Sequence, residues 1–142
     1  MGLTVLFAAM GLAVGIPLDA HTGWDATTTR GSRRFDREAA HEEPYCLVVS
    51  HPCSPWGQWS RYNIQKGGET AAKILQKREY SRPILKEVNR SVVYRVTRGG
   101  HVVIEQPRDS ESYHQPEMDG IQRLLNQGIL KSVTFHGCQV GY

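Results

Sequence analysis

The chain has 142 residues, of which 39% are hydrophobic and 22% are charged, with 17 Lys and Arg against 14 Asp and Glu. This composition excludes a disordered, collagen-like or low-complexity chain, and the length predicts a single domain over residues 1–142 with a core of its own. The three cysteines are too few and too widely spaced for a disulfide framework, so we interpret them as reduced thiols.

The N-terminal apolar run does not have the features of a targeting or membrane segment. Residues 3–18 lack a basic n-region, are interrupted by Gly11, Gly15 and Pro17, and are too short to span a bilayer. We therefore expect an intracellular protein without a membrane partner, and the sequence leaves open whether it is nuclear or cytoplasmic.

Helical and extended patterns alternate along the chain. In chain order, they predict a helix over residues 3–12, a strand over 13–18, a loop over 19–34, a helix over 35–43, a strand over 45–50, a loop over 52–68, a helix over 69–98, a strand over 101–105, a helix over 116–126 and a strand over 132–135. Pro83 is expected to kink or restart the third helix, because proline lacks the amide donor and clashes with the preceding turn.

This alternation predicts an α/β fold of three layers, with a mainly parallel sheet and helices on both faces. Ligands of such sheets bind outside the carboxyl ends of the strands. The places that follow predicted strands are Asp19, the turn over residues 51–56, the segment 105–107 and the segment 136–138.

Two residues at those places could carry chemistry. Cys53 lies between Pro52 and Pro55, which stiffen the turn that presents its sulfur, and His51 could help to form the thiolate; a small buried cysteine in a tight loop is the alternative. Glu105 ends an apolar strand, so we expect its carboxyl to be desolvated and its pKa raised, as suits a general acid; a carboxylate that caps a neighbouring backbone is the alternative.

Candidate cofactor and metal residues give weaker signals. Asp19 could hold the ribose hydroxyls of a nucleotide cofactor and Asp25 an adenine amino group, but both fit turn or cap positions equally well. No glycine-rich phosphate loop precedes them. The pairs His51/Cys53 and His136/Cys138 have zinc-ligand types without zinc-ligand spacing, so we predict no metal site.

Positive charge is concentrated between Arg61 and Arg98, where ten Lys or Arg stand against three acids. Four of these cations recur every four positions: Arg78, Arg82, Lys86 and Arg90. Such a stripe is either a solvated helix face or a track for phosphates. Aromatic residues in the preceding loop, Trp56, Trp59 and Tyr62, could stack on bases or cover the edge of the sheet.

The order of these motifs resembles a known family. They are Gly11-Leu12-x-Val14-Gly15-x-Pro17-x-Asp19, Thr22-Gly23-Trp24-Asp25, Pro52-Cys53-x-Pro55-Trp56, Arg82-Pro83-Ile84-Leu85, Gly99-Gly100-His101-Val102, Glu105-x-Pro107 and Cys138-x-x-Gly141. Together they resemble the methyltransferase-like domain of retroelement-type polyproteins, which is related to the DNA cytosine-C5 methyltransferases. The resemblance covers nearly the whole chain.

The resemblance implies a Rossmann-like fold with S-adenosyl-L-methionine as cofactor and nucleic acid, in this family DNA, as partner. Cys53 would attack C6 of a flipped cytosine while Glu105 holds N3, and Asp19, Trp24 and Asp25 would bind the cofactor. The alternative is a non-catalytic nucleic-acid-binding module that uses the basic stripe and the aromatic loop.

The chain also departs from the family pattern. The glycine-rich first strand and its turn are missing, no Gln-x-Arg-x-Arg strand follows, and Gln106 stands where the family has Asn. We therefore expect a truncated domain without its first strand, whose open sheet edge could pair with another chain. Whether such a domain is active alone is left open.

Overall fold

A computed structural model describes residues 7–19 and 22–134 of the chain. The contacts divide the chain into two compact units, Met1–Tyr45 and Cys46–Tyr142. The prediction of one domain over the whole chain stays a prediction. Within the described residues, no helix combines the length and apolar character that a membrane crossing requires.

The N-terminal unit is built on one helix, α1 (Thr29–Glu42). The Thr28 side chain caps its start by accepting from the Gly31 amide at 3.0 Å, and the helix ends at Glu43 in a left-handed conformation. A Cβ at Gly31 would lie 1.8 Å from the Asp25 carbonyl oxygen, so only glycine permits this close approach. The predicted loop over 19–34 is therefore too long, because capping starts the helix at Thr29.

The predicted strand over 13–18 is wrong. These residues form neither a helix nor a strand, and Val14 and Ile16 are exposed. A short apolar run becomes a strand only with a hydrogen-bonded neighbour, which the described chain does not supply here. Of the predicted first helix, a helical turn is present at residues 7–9, and residues 3–6 lie outside the described part.

The C-terminal unit is a mixed α/β arrangement with two parallel strands. Its elements are β1 (Cys46–Val49), α2 (Gln58–Lys66), α3 (Gly68–Thr97), β2 (His101–Ile104), two 3-10 helices at Glu111–His114 and Pro116–Met118, and α4 (Asp119–Asn126). The strands pair in parallel, from Cys46 opposite His101 to Val49 opposite Ile104. The predicted strands and the long helix between them are thus confirmed, and their connection is a crossover of the kind that parallel pairing requires.

The core of this unit lies along one side of α3. Leu85, Val88 and Val92 follow the predicted spacing of three and four residues and are buried against Met118, Ile121 and Leu124 of the C-terminal segment. Asn89 joins the same elements, because its Oδ1 accepts from the Ile121 amide at 2.9 Å. The two strands are half-buried at the edge of this core. Their predicted burial on both faces is wrong, since Val48 and Val103 are exposed.

Three other predictions for this unit are corrected. The stretch over 52–68 is not one extended surface loop, because α2 occupies most of it and Trp56 has no exposed surface. The helix α3 is not restarted by Pro83, which lies on an exposed face where a freed carbonyl can bind water. Residues 132–134 form no strand, and Phe135 lies outside the described residues.

Candidate active site

The site begins where the two parallel strands end. Glu105 directly follows β2, and its amide donates to the carbonyl of Val49, the last residue of β1, at 2.9 Å. The Ser50 hydroxyl then donates to Glu105 Oε2 at 3.0 Å. Parallel pairing therefore brings the start of the Pro-Cys turn and the Glu105 carboxyl to one edge of the sheet, as the rule for strand ends predicted.

The turn that carries Cys53 is held by its backbone carbonyls. Every carbonyl from Cys53 to Trp56 accepts a hydrogen bond: from the Trp56 amide at 2.9 Å, the Ser60 hydroxyl at 2.5 Å, Arg78 Nε at 2.8 Å and the Glu111 amide at 2.8 Å, respectively. These donors come from the turn itself, α2, α3 and the first 3-10 helix. A loop fixed from several sides presents its side chains in a defined position.

A closed ring of hydrogen bonds lies behind this turn. Gln106 Nε2 donates to the His51 carbonyl at 2.6 Å, and Gln106 Oε1 accepts from the Ser110 hydroxyl at 3.2 Å. Ser110 and Ser112 hydroxyls bond at 2.8 Å, and Ser112 Oγ lies 3.1 Å from His51 Nε2. The ring joins residues from two loops, so the spacing of residues along the sequence does not predict it. The one sequence signal is Gln106, which stands where the family pattern has Asn.

The prediction that His51 helps to charge the Cys53 thiol is wrong. His51 is buried, and burial lowers its pKa to about 4, so the imidazole is neutral near pH 7. Its Nε2 bonds Ser112 instead.

Cys53 itself is exposed, so the alternative of a small buried cysteine is also wrong. It lines a cleft of about 450 Å³ together with Ser54, residues 57–60 at the start of α2, and the segment 107–109. Gln58 Nε2 donates to Asp109 Oδ2 at 2.5 Å and so joins the two sides of the cleft. The volume is within the range of small-molecule sites, roughly 300–1,000 Å³.

Glu105 lies at the edge of the sheet but not in the lining of that cleft. The expected desolvation of its carboxyl is wrong, because Glu105 is exposed. Its charge acts on a neighbour: burial, and next the Glu105 carboxylate, raise the pKa of Tyr113. Glu105 therefore lies at the predicted edge of the sheet, where the Pro-Cys turn begins, but not in the buried environment that the sequence predicted.

The three predicted cofactor residues serve the turn before α1. Asp19 Oδ1 accepts from the Thr22 amide at 2.9 Å, and Trp24 Nε1 donates to the Gly31 carbonyl at 2.8 Å. Asp25 Oδ1 accepts from both the amide and the hydroxyl of Thr27, and these bonds lower the pKa of Asp25. No strand ends at Asp19, and these polar groups are used locally, so the residues do not fit the cradle that an adenosyl group needs.

Three of the four cations in the predicted basic stripe are paired with carboxylates. Arg78 bonds Glu111 and places its guanidinium 4.9 Å from the centre of the Trp56 ring. Arg82 bonds Glu117 at 3.0 Å, and Arg90 bonds Glu87 at 2.6 Å. These pairs neutralise the charge that a phosphate track requires. Arg78 and Arg82 tie α3 to the segment that follows β2, and Arg90 is paired within α3 itself. Lys86 is exposed.

The aromatic residues of the predicted stacking loop separate into two groups. Trp56 lies in the core with no exposed surface and cannot stack on a base, so its assignment to nucleic-acid binding is wrong. Trp59 is 79% exposed and Tyr62 is 48% exposed. Both lie on α2, and Trp59 also lines the cleft beside Cys53.

No group of three potential metal ligands occurs within residues 7–19 and 22–134, and the His136/Cys138 pair lies outside those ranges. No protein-family model matches the chain, and no characterised protein or solved structure matches it.

Proposed function

We propose that this chain is a methyltransferase-like domain related to the DNA cytosine-C5 methyltransferases, with Cys53 as nucleophile and Glu105 as acid. One observation carries the proposal. The Pro-Cys turn and Glu105 leave adjacent parallel strands at the same edge, where the Glu105 amide bonds the Val49 carbonyl at 2.9 Å.

The same proposal extends to the fold. We interpret β1, α3 and β2 as one crossover unit of a Rossmann-like sheet of three layers. Parallel pairing and a long helical crossover support this interpretation. A further strand, supplied by another chain, would cover the open edge of the sheet.

The chemistry open to this chain is activation of the base. The Cys53 thiolate adds to C6 of cytosine, so a C6–S bond forms and the electron pair of the C5–C6 double bond moves to C5 and is delocalised through C4 onto N3. In its protonated form, the Glu105 carboxyl donates a hydrogen bond to N3 and offsets the developing negative charge. C5 then takes a proton from water. Loss of a C5 proton and expulsion of the thiolate restore cytosine, so the cycle exchanges the C5 hydrogen with solvent.

The family resemblance also implies S-adenosyl-L-methionine as methyl donor. Because Asp19, Trp24 and Asp25 do not form a cradle for it, we limit the proposed chemistry to the exchange described above. That exchange needs no cofactor.

The test is release of tritium from DNA that contains [5-³H]cytosine, measured with and without S-adenosyl-L-methionine. We expect release by the unaltered protein, none by Cys53→Ser, and slower release by Glu105→Gln. Cys46→Ser is the matched control, because Cys46 is a half-buried thiol within β1 and should leave the rate unchanged. Release that persists in Cys53→Ser, or no release by the unaltered protein, would refute the proposed chemistry.

A nucleic-acid-binding module without catalysis is the second candidate. The exposed Trp59 beside the cleft favours it, whereas the ion-paired arginines of α3 do not. Salt-sensitive DNA binding without tritium release would support this candidate.

A further inference from the structure

The outer face of α2 combines aromatic rings with positive charge. We call Trp59, Tyr62 and Lys66 the α2 aromatic face. They recur at intervals of three and four residues and therefore lie on one side of the helix. Ser60 on the opposite side is buried, and Ile64 is half-buried, so the helix rests on its other face. The aromatic face is consequently turned toward solvent.

The rings on this face form a connected series. The Trp59 and Tyr62 rings are 6.3 Å apart and nearly perpendicular, at 84°. Lys66 Nζ lies 4.5 Å from the centre of the Tyr62 ring. With 79% of Trp59 exposed, most of the indole is available for a planar partner. A large exposed aromatic pair of this kind is typical of a binding surface rather than of a solvated helix face.

The charge around this face favours an anionic partner. The helix α2 contains Arg61 and Lys66 and no acidic residue. Neither cation forms an ion pair with any described residue, in contrast to the arginines of α3. Arg108, another exposed cation, lines the adjoining cleft, where Asp109 is engaged by Gln58.

We propose that the α2 aromatic face binds a single-stranded polynucleotide, with bases stacked on Trp59 and Tyr62 and a phosphate beside Lys66. This deepens the proposed function, on which it rests for the choice of nucleic acid. A helix rises about 1.5 Å per residue, so the face is roughly 10 Å long and accommodates about two nucleotides. Because Trp59 also borders the cleft, the strand leads an unpaired base toward Cys53. A duplex keeps its bases stacked and cannot use this surface.

The test is fluorescence anisotropy with a labelled oligothymidylate of about 12 nucleotides and a duplex of the same length. We expect the single strand to bind more tightly than the duplex. Trp59→Ala should raise the Kd of the single strand about tenfold. Tyr80→Ala is the matched control, since Tyr80 is 68% exposed on α3, and it should change the Kd less than about twofold.

The electrostatic contribution of Lys66 to binding is measured separately, from the salt dependence of the Kd. For Lys66→Gln, the slope of log Kd against log salt concentration should fall by about 0.7. Circular dichroism checks that each variant is folded. Because the thiol takes no part in stacking, Cys53→Ser should bind the strand normally, so loss of catalysis and loss of binding are measured separately.

Three outcomes would overturn the proposal. The first is a Kd that Trp59→Ala changes no more than Tyr80→Ala does. The second is equal affinity for the single strand and the duplex. The third is self-association that Trp59→Ala abolishes in a protein that binds no oligonucleotide, which would identify the face as a protein contact.

Discussion

The buried His51 imidazole makes the stability of the C-terminal unit sensitive to acid. His51 is 5% exposed, and burial lowers its pKa from 6.5 to about 4. Its Nε2 bonds the Ser112 hydroxyl, and no described group bonds Nδ1. A proton on that ring would leave a positive charge in the core, so the folded state resists protonation that the unfolded chain accepts.

The difference between the pKa of His51 in the unfolded chain and in the folded state sets the sign and the size of the pH effect on the unfolding free energy. The depressed pKa contributes stability that is fully present above pH 6.5 and is lost as the pH falls through about 4. One pKa unit corresponds to about 1.4 kcal/mol, so the loss over this window is about 3 kcal/mol. We expect urea unfolding at a series of pH values to show it, and His51→Gln, which cannot be protonated, to remove that part of the pH dependence.

An exposed histidine provides the control for His51→Gln. His114 is exposed, so His114→Gln should leave the pH dependence of the unfolding free energy unchanged. An NMR titration should find the His51 ring neutral down to about pH 4. If His51 titrates near 6.5, or if His51→Gln unfolds with the same pH profile as the unaltered protein, the account of a desolvated histidine fails.

Three further predictions concern stability and are measured by urea unfolding. Arg78→Met should lower the free energy of unfolding by about 2 kcal/mol, because it removes a charged hydrogen-bond partner from the half-buried Glu111 carboxylate. Arg123→Met, which breaks an exposed pair with Asp119, should lower it by less than about 0.5 kcal/mol. Trp56→Ala should cost about 3–5 kcal/mol by leaving a cavity, and Trp59→Ala should cost almost nothing. Gly31→Ala should lose about 1–3 kcal/mol despite the better helix propensity of Ala, since its methyl group would overlap a backbone carbonyl. Equal losses within either tryptophan or arginine pair would contradict the burial on which these values depend.

Sequence patterns predicted the elements whose signal is local and strong. The helix α3 was predicted within one residue at each end, because 30 residues with a regular apolar face and a terminal Gly-Gly pair leave little choice. The strands β1 and β2 were predicted because each is a short apolar run bounded by turn residues. The residues 13–18 have a similar pattern and form no strand, since pairing depends on a neighbour that local sequence does not specify.

The candidate site was predicted in position but not in environment. Strand order correctly brought Glu105 and the Pro-Cys turn to one edge of the sheet, because parallel strands end together. Burial was predicted poorly: Glu105 is exposed, Trp56 is buried, and His51 is buried with its Nε2 bonded to Ser112. Each of these outcomes depends on which other segment packs against the residue, so it has no signature in the neighbouring sequence.

The amino-acid sequence by itself determined the long helix α3, the strands β1 and β2, and which reactive side chains follow these strands, because their signals depend on neighbours within one or two turns. Only the tertiary structure decided which cations are neutralised, which indole is accessible and which donors fix the Cys53 turn. These properties arise when segments more than 20 residues apart meet, as Arg78 and Pro55 do. The physical reason is that burial and pairing are set by long-range packing, which residue order constrains only through the complete fold.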